Sequence, residues 1–337
     1  MSTIVVIDHG VHGDRAVERR VLEPLGYNVV DTQELGVGVE EGFALAVERD
    51  AVAILAGPIV PLDRDHLERL SACRAVVRYG VGLDNVDVEA AEDLGIAVGN
   101  VPEYGHEEIS NHAIALLLAL GRKLFVFDGA VRRGGAGVPA PESVRRLSHT
   151  TLGLVGFGRI GRHVARKAQA FGLDVVAHDP YASPDVAAAA GVDLLDLDAL
   201  LRRADCVSLH VPLTPETRHM IDVPRMKPGS LLINIGRGGL VDEDALVDAL
   251  RSGHLAGAAL DVTEVEPLPP TSPLLDAPNL ILTPHVAWVS EVALEDLRCF
   301  TAEAALRLIG AKGWGPRPTG HSVLSDVPLG TPRAVTA

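Results

Sequence analysis

The sequence predicts an α/β protein made of two doubly wound parallel-sheet domains. Short runs rich in Val, Ile and Leu alternate with amphipathic stretches along most of the 337 residues, the pattern of βαβ units whose sheets are covered on both faces. The segment RRGGAGVPAPESVRR at 132–146 lacks an apolar period and breaks that alternation, and a fresh series starts at Leu152. The length suits two domains at roughly 150 residues each.

Taken in order, the apolar runs predict strands at Ile4–Ile7, Val52–Leu55, Ala75–Arg78, Leu152–Val155, Val175–Ala177, Cys206–Leu209, Leu231–Asn234, Ala258–Leu260 and Leu280–Leu282. Continuous hydrophobicity, rather than polar alternation, marks strands buried on both sides. Helical periodicity predicts helices at Ala16–Glu23, Arg159–Phe171, Leu197–Arg203 and Glu243–Arg251. A longer helical stretch runs from about Glu107 to Val131, and another covers Glu291–Leu308. The domains follow as 1–100 joined by 288–310, and 101–287. Residues 311–337, rich in Pro and Gly, predict a loose tail.

Composition narrows the function. With 47% hydrophobic and 22% charged residues, wholesale disorder is excluded. A net charge of −15 argues against a broad basic face for nucleic acid or anionic lipid, so neither is an expected partner. The apolar run Ala113–Leu120 is too short to span a bilayer, and MSTIVVIDHGVHGD carries no basic leader. Cys73, Cys206 and Cys299 lie far apart, with no CxxC and no metal-ligand spacing. That predicts no bound metal, no disulfide framework and a cytoplasmic location.

The first strong chemical signal is TLGLVGFGRIGRHVARKAQAFGLDVVAHDPY. Gly156, Gly158 and Gly161 form GxGxxG between a predicted strand and a predicted helix. The first glycine permits the tight turn, the second lets the backbone approach a pyrophosphate, and the third lets helix and strand pack closely. Helix N-terminal amides then face the phosphates. Asp179 ends the next strand, where a carboxylate accepts hydrogen bonds from the adenosine ribose hydroxyls and repels the 2′-phosphate of NADP. No Lys or Arg follows within 180–185 to offset that charge. The expected cofactor is therefore NAD(H) rather than NADP(H), on a Rossmann-like domain.

Three further segments fall at the ends of later strands, where open α/β sheets place their ligands. They are INIGRGGLVDEDAL (233–246), ALDVTEVEPL (259–268) and LTPHVAWVSE (282–291). With GFGRIG at 156–161, and with VRYGVGLDNVD (77–87) and GIAVGNVPE (95–103) upstream, the chain resembles the D-isomer-specific 2-hydroxyacid dehydrogenases from about residue 50 to about 310. The resemblance implies a Rossmann-like and a flavodoxin-like domain with the active-site cleft between them. It implies that His285 is the acid/base, Glu266 its acidic partner and Arg237 the arginine that binds the substrate carboxylate. These residue types suit the chemistry. An imidazolium can protonate a carbonyl oxygen as hydride reaches the carbon, a carboxylate on its other nitrogen fixes the tautomer, and a guanidinium forks to a carboxylate.

By the same resemblance Arg78 and the amides of Val81 and Gly82 complete a carboxylate cradle. Arg159, Ile160, Pro180, Val211, Pro212, Thr217, Ile235, Gly236 and Asp261 join Gly156, Gly158, Gly161 and Asp179 around the cofactor. Asp261 serves the nicotinamide carboxamide or the architecture of the site. The helical segment 107–131 resembles the family's dimerisation element, so a homodimer is expected.

Two departures matter. Trp288 stands where many members carry glycine, which is closest to the C-terminal-binding protein branch. An indole there adds an apolar wall suited to a 2-keto acid with a bulky side chain. The loop 132–150 lacks the tryptophan and basic run that many members place before GxGxxG. The leading expectation is an NAD-dependent dehydrogenase of a D-2-hydroxy acid. The alternative is an NAD(H)-responsive, co-repressor-like binding protein with residual dehydrogenase activity. A formate dehydrogenase is disfavoured by Glu266, because that branch uses glutamine.

Overall fold

The structure is a computed structural model that describes residues 1–8, 14–135, 144 and 146–310; the expected loose tail lies outside the described residues. The chain forms two compact units, Met1–Gly105 with the segment from Ser290 onward, and His106–Val289.

The first unit alternates β1 (Ser2–Ile7), α1 (Ala16–Leu22), β2 (Tyr27–Asp31), α2 (Val39–Glu48), β3 (Ala53–Ala56), α3 (Arg64–Glu68), β4 (Ala75–Arg78), α4 (Val88–Asp93) and β5 (Ala97–Gly99). All neighbouring strands are parallel, in the order β2-β1-β3-β4-β5. The register sets Val5 beside Ile54 and Leu55 beside Val77. One face packs Val5, Ile7, Ile54 and Val76 on Phe43 and Leu62. Asp63 and Asp87 cap α3 and α4 by accepting the His66 and Ala90 N–H groups.

The second unit begins with α5 (His106–Gly121) and α6 (Leu124–Arg132). Its βα series follows as β6 (Thr151–Val155), α7 (Arg159–Ala170), β7 (Asp174–His178), α8 (Pro184–Ala189), β8 (Asp193–Leu194), α9 (Leu197–Arg203), β9 (Cys206–Leu209), β10 (Ser230–Asn234), α10 (Glu243–Ser252), β11 (Leu255–Leu260) and β12 (Leu280–Leu282). The parallel order is β12-β11-β10-β9-β6-β7-β8, so the winding reverses between β6 and β9. This is the doubly wound order of dinucleotide-binding sheets with one strand added at an edge. Leu154 and Ile233 face Ile114 and Val164 on one side, while Val155 and Leu232 face Leu200 and Leu246 on the other. Finally α11 (Glu291–Gly310) returns to the first unit, where Leu297 and Ala305 are buried.

One expectation needs correcting. The stretch 107–131 is not a single helix: α5 stops at Gly121, and Lys123 takes a left-handed φ of 53° before α6 starts. The helix α5 buries Ile114, Leu117 and Leu120, whereas α6 buries no residue, so nothing holds the two on one helical axis. The strands β2, β5 and β8 were not expected. With edges such as Asn28 and Asp31, or only two or three residues, they offer no apolar run and owe their form to the neighbouring strand.

Candidate active site

The glycine turn follows directly from β6. Gly156 has φ +98°, and a Cβ there would lie 2.8 Å from the His210 carbonyl oxygen. A Cβ on Gly161 would lie 2.3 Å from the Gly156 carbonyl oxygen, so the third glycine is required for helix and turn to meet. Around Gly158 the situation is the reverse: an added Cβ would meet no protein atom within 4 Å. Gly158 is also the N-cap of α7 and supplies no side chain to the first-turn amides, which leaves an anion-seeking helix end beside open space.

Asp179 closes this turn from β7. One carboxylate oxygen accepts the Phe157 N–H at 2.8 Å and the other accepts the Tyr181 N–H at 2.9 Å. Arg159 and Pro180 are exposed, and Ile160 packs partly on the core. Val211, Pro212 and Thr217 lie in the loop after β9, where Thr217 donates to the Pro212 carbonyl at 2.8 Å. Ile235 and Gly236 follow β10, and Gly236 approaches the Val211 carbonyl so closely that a Cβ would sit 3.1 Å from it. The named cofactor candidates of this unit therefore gather at the carboxyl ends of β6, β7, β9, β10 and β11.

Arg237, Glu266 and His285 come from three successive strand ends. Gly238 makes their meeting possible, because its Cα presses on the Thr263 backbone where a Cβ would lie 2.0 Å from the carbonyl carbon. The arginine segment is thereby laid on the acidic turn. Glu266 accepts the Thr263 N–H at 3.1 Å through one oxygen and pairs with His285 Nδ1 at 2.8 Å through the other. Burial alone would push the Glu266 carboxyl up. The hydrogen bond and charge of His285, the Thr263 N–H and the Arg237 charge outweigh it and hold the group below the usual carboxylate range. The His285 side chain stays 41% exposed, and with Nδ1 engaged its Nε2 is the nitrogen left to meet a substrate.

The backbone of His285 has φ 55°, a left-handed conformation uncommon for a residue with a side chain. Asp261 holds it there. Its carbonyl accepts the His285 N–H at 2.8 Å, and its carboxylate accepts the Val286 N–H at 3.0 Å, the Ala287 N–H at 2.9 Å and the Thr283 hydroxyl at 2.6 Å. His112 of α5 reaches the same Thr283 oxygen at 3.2 Å. Of the two roles expected for Asp261, these bonds describe the architectural one. Trp288, three residues beyond His285, is partly buried in the same segment.

Arg78, Val81 and Gly82 belong to a turn of the first unit. Arg78 Nη1 donates to the Tyr79 carbonyl at 2.7 Å, Val101 N–H to the Gly80 carbonyl at 2.8 Å, and Asn100 to the Val81 carbonyl at 2.6 Å. The N–H groups of Val81 and Gly82 donate to no acceptor among the described residues.

Residues 114–287 match the family model described as D-isomer specific 2-hydroxyacid dehydrogenase, NAD binding domain. The chain belongs to this family. It is 37% identical over 294 residues to the D-3-phosphoglycerate dehydrogenase of Methanocaldococcus jannaschii, which covers 86% of this chain and 55% of that protein. The chain spans about half the length of the curated relatives it matches. Among solved structures, a D-lactate dehydrogenase from Aquifex aeolicus, complexed with NAD and lactic acid, superposes with a TM-score of 0.79 at 28% identity and covers 92% of this chain and 96% of its own. A glyoxylate reductase from Paecilomyes thermophila gives a TM-score of 0.80 at 29% identity, covering 91% and 95%.

The second unit is thus the NAD-binding domain of a 2-hydroxyacid dehydrogenase family member. The open space over Gly158, the uncapped N-terminus of α7 and the acceptor Asp179 fit a dinucleotide. Among the described residues no group of His, Cys, Asp or Glu is arranged to hold a metal ion, and no helix is long and apolar enough to cross a membrane. Sequence reasoning missed His112, Thr283 and His210. Both ring nitrogens of His210 are shielded without a partner beneath the glycine turn, and burial pulls it down to about 3, so it is neutral there. Thr283 stands inside the segment LTPHVAWVSE, whereas His112 and His210 lie outside the sequence motifs.

Proposed function

We propose that the protein is an NAD-dependent D-2-hydroxyacid dehydrogenase. The single observation that carries this reading is the 2.8 Å bond between His285 Nδ1 and Glu266, with Arg237 charged beside it. Bound NADH supplies the hydride that reduces C2 of a 2-keto acid. In that step His285 gives its Nε2 proton to the carbonyl oxygen, so keto acid, NADH and a proton become hydroxy acid and NAD⁺. In the other direction the neutral ring takes the hydroxyl proton. Glu266 fixes the tautomer by accepting from Nδ1 and stabilises the imidazolium. Arg237 binds the substrate carboxylate and polarises the carbonyl. The N–H groups of Val81 and Gly82, which have no acceptor among the described residues, and Arg78 support a carboxylate-receiving role for the first unit, which makes residues 1–100 and 288–310 the substrate domain and 101–287 the cofactor domain.

Finer assignments follow on the same footing. Asp179 favours NAD(H) over NADP(H), because a 2′-phosphate would meet a carboxylate already fixed by two backbone amides. Trp288 supports an aromatic, thioether or branched keto acid as substrate and a kinship with the C-terminal-binding protein branch. Leu124, Phe125 and Val131 of α6 are 55%, 56% and 68% exposed, an apolar helix face that a second copy of the chain would cover in a homodimer. A cytoplasmic location belongs to the same proposal, supported by the sparse, widely spaced cysteines.

The test is NADH oxidation over glyoxylate, pyruvate, 3-phosphohydroxypyruvate and branched, thioether and aromatic 2-keto acids, with chiral analysis of the product. The phosphorylated acid is included because of the phosphoglycerate dehydrogenase relatives. Turnover giving the R product is expected, with Trp288→Ala impairing the bulky acids more than pyruvate. Tight NADH binding without turnover of any acid would overturn the reading in favour of an NAD(H)-responsive, co-repressor-like binding protein.

A further inference from the structure

The first unit buries a set of charges that the chemistry above does not use. Arg15, just ahead of α1, is fully buried, with Nη2 3.1 Å from Asp8, Nε 3.1 Å from Asp31 and Nη1 3.7 Å from Glu18. Asp8 follows β1 and Asp31 ends β2, and both are shielded from water. Glu18 is fully buried as well, with Arg298 of α11 4.0 Å away. Buried ion pairs of this kind are often no more stabilising than well-packed apolar side chains, so fold stability alone is a weak reason for them. Geometry is a better one.

The network also reaches Tyr79, the residue that follows β4. Its hydroxyl donates to Glu18 Oε1 at 2.7 Å, and its ring centre lies 6.0 Å from the Arg15 guanidinium carbon. Burial first, and then the Glu18 charge, push the phenol well above its ordinary value, so it remains a donor. The other end of Tyr79 is fixed too, because its N–H donates to the Ala56 carbonyl at the end of β3. Immediately after it, Gly80 has φ +106°, where a Cβ would sit 2.3 Å from Arg78 Nη1. Tyr79 is therefore held from two sides just before the turn whose next amides, Val81 and Gly82, have no acceptor among the described residues.

We propose that Glu18 and Tyr79 are positioning residues for the substrate carboxylate: the buried hydrogen bond between them sets the direction in which the Val81 and Gly82 N–H groups point. The inference rests on the proposed function, in which those amides receive the carboxylate. Glu18 acts only through Tyr79, and Arg15 holds Glu18 in place. A merely structural role would lower the folded fraction and leave KM alone, whereas a positioning role raises KM.

The experiment compares wild type with Tyr79→Phe, which removes one hydroxyl and keeps the ring. KM for the best 2-keto acid should rise roughly five-fold, with kcat and the NADH dissociation constant changed less than about two-fold. Glu18→Gln, which keeps the shape of the acceptor, should shift KM the same way by a smaller factor, and it carries the test if Tyr79→Phe does not fold. Hydrogen exchange supplies a reading independent of turnover: the peptide over 75–80, which contains the Tyr79 N–H bonded to the Ala56 carbonyl, should exchange roughly ten-fold faster in the variant, with that over 152–157 unchanged. A wild type that turns over no keto acid would sink the proposed function but not this measurement. Unaltered exchange, or an unaltered KM in an active enzyme, would overturn the positioning role.

Discussion

The carbonyl oxygen of Asp261 accepts the N–H of His285 at 2.8 Å, and the carboxylate of the same aspartate accepts the next two N–H groups, of Val286 and Ala287. One buried side chain thus holds a histidine in a left-handed conformation that it would otherwise avoid. In the proposed function, the arrangement separates the residue that would handle the proton from the residue that aims it.

Removing the aiming residue should cost both activity and stability. Asp261→Ala removes the acceptor of the buried Ala287 N–H, at about 1–3 kcal/mol for a buried group left unsatisfied, and with it the acceptor of the part-buried Val286 N–H and Thr283 hydroxyl. Urea denaturation should show that loss. His285→Ala should leave the fold and NADH affinity nearly intact while lowering turnover by roughly 10² or more. An Asp261→Ala enzyme with wild-type turnover would show that the strained backbone is irrelevant to catalysis.

Arg237→Lys preserves the charge beside Glu266 but loses the planar fork. KM for the keto acid should rise by about ten-fold, with stability little changed. Steady-state kinetics decide the matter, and unchanged constants would remove Arg237 from carboxylate recognition.

The glycines of the turn offer a contrast between binding and folding. Alanine at Gly158 would project into open space, whereas at Gly161 it would collide with the Gly156 carbonyl at 2.3 Å. Gly158→Ala is therefore expected to melt within a few degrees of wild type yet bind NADH at least about ten-fold more weakly, since the methyl fills the approach to the pyrophosphate. Gly161→Ala should lower the melting temperature itself. Calorimetry with and without NADH distinguishes the two, and unimpaired NADH binding by Gly158→Ala would place the phosphates elsewhere.

A pH-dependent staple joins α2 and α3. His66 Nδ1 lies 2.6 Å from Asp63, Nε2 lies 2.7 Å from Glu40, and the ring packs 4.4 Å from Phe43. Burial would lower the imidazole, but the two carboxylates prevail and raise it above its ordinary 6.5. A raised folded value means that the stabilisation is complete below 6.5 and is lost as pH climbs through the higher value. Wild type should therefore lose more melting temperature than His66→Gln between pH 6 and pH 9 on this account. Parallel curves for the two proteins would refute it.

Much of the fold was legible along the chain. Ala75–Arg78 and Cys206–Leu209 are strands the apolar runs predict, because a strand buried on both faces is mostly apolar, and the partly buried edge strand Leu280–Leu282 carries the same kind of run. The glycine spacing and the acid that follows it were also readable, since a tight turn and a helix start impose local requirements on type and interval. The pair Asp193–Leu194 left no trace, because a two-residue strand is made by the hydrogen bonds of its neighbour. The break at Lys123 coincides with Gly121-Arg122-Lys123, which interrupts the apolar residues, and burial, present in α5 and absent in α6, distinguishes the two sides.

The sequence by itself determined the family and the candidate residues, because glycine, histidine, arginine and carboxylate each bring a capability that suits the proposed chemistry at the place they hold in a motif. Tertiary structure alone decided how they are held. His112 meets Thr283 across 171 positions, and Tyr79 meets Glu18 across 61. No periodicity records such encounters, since a hydrogen bond between distant segments depends on where the sheet ends bring them and not on what lies beside them in the chain.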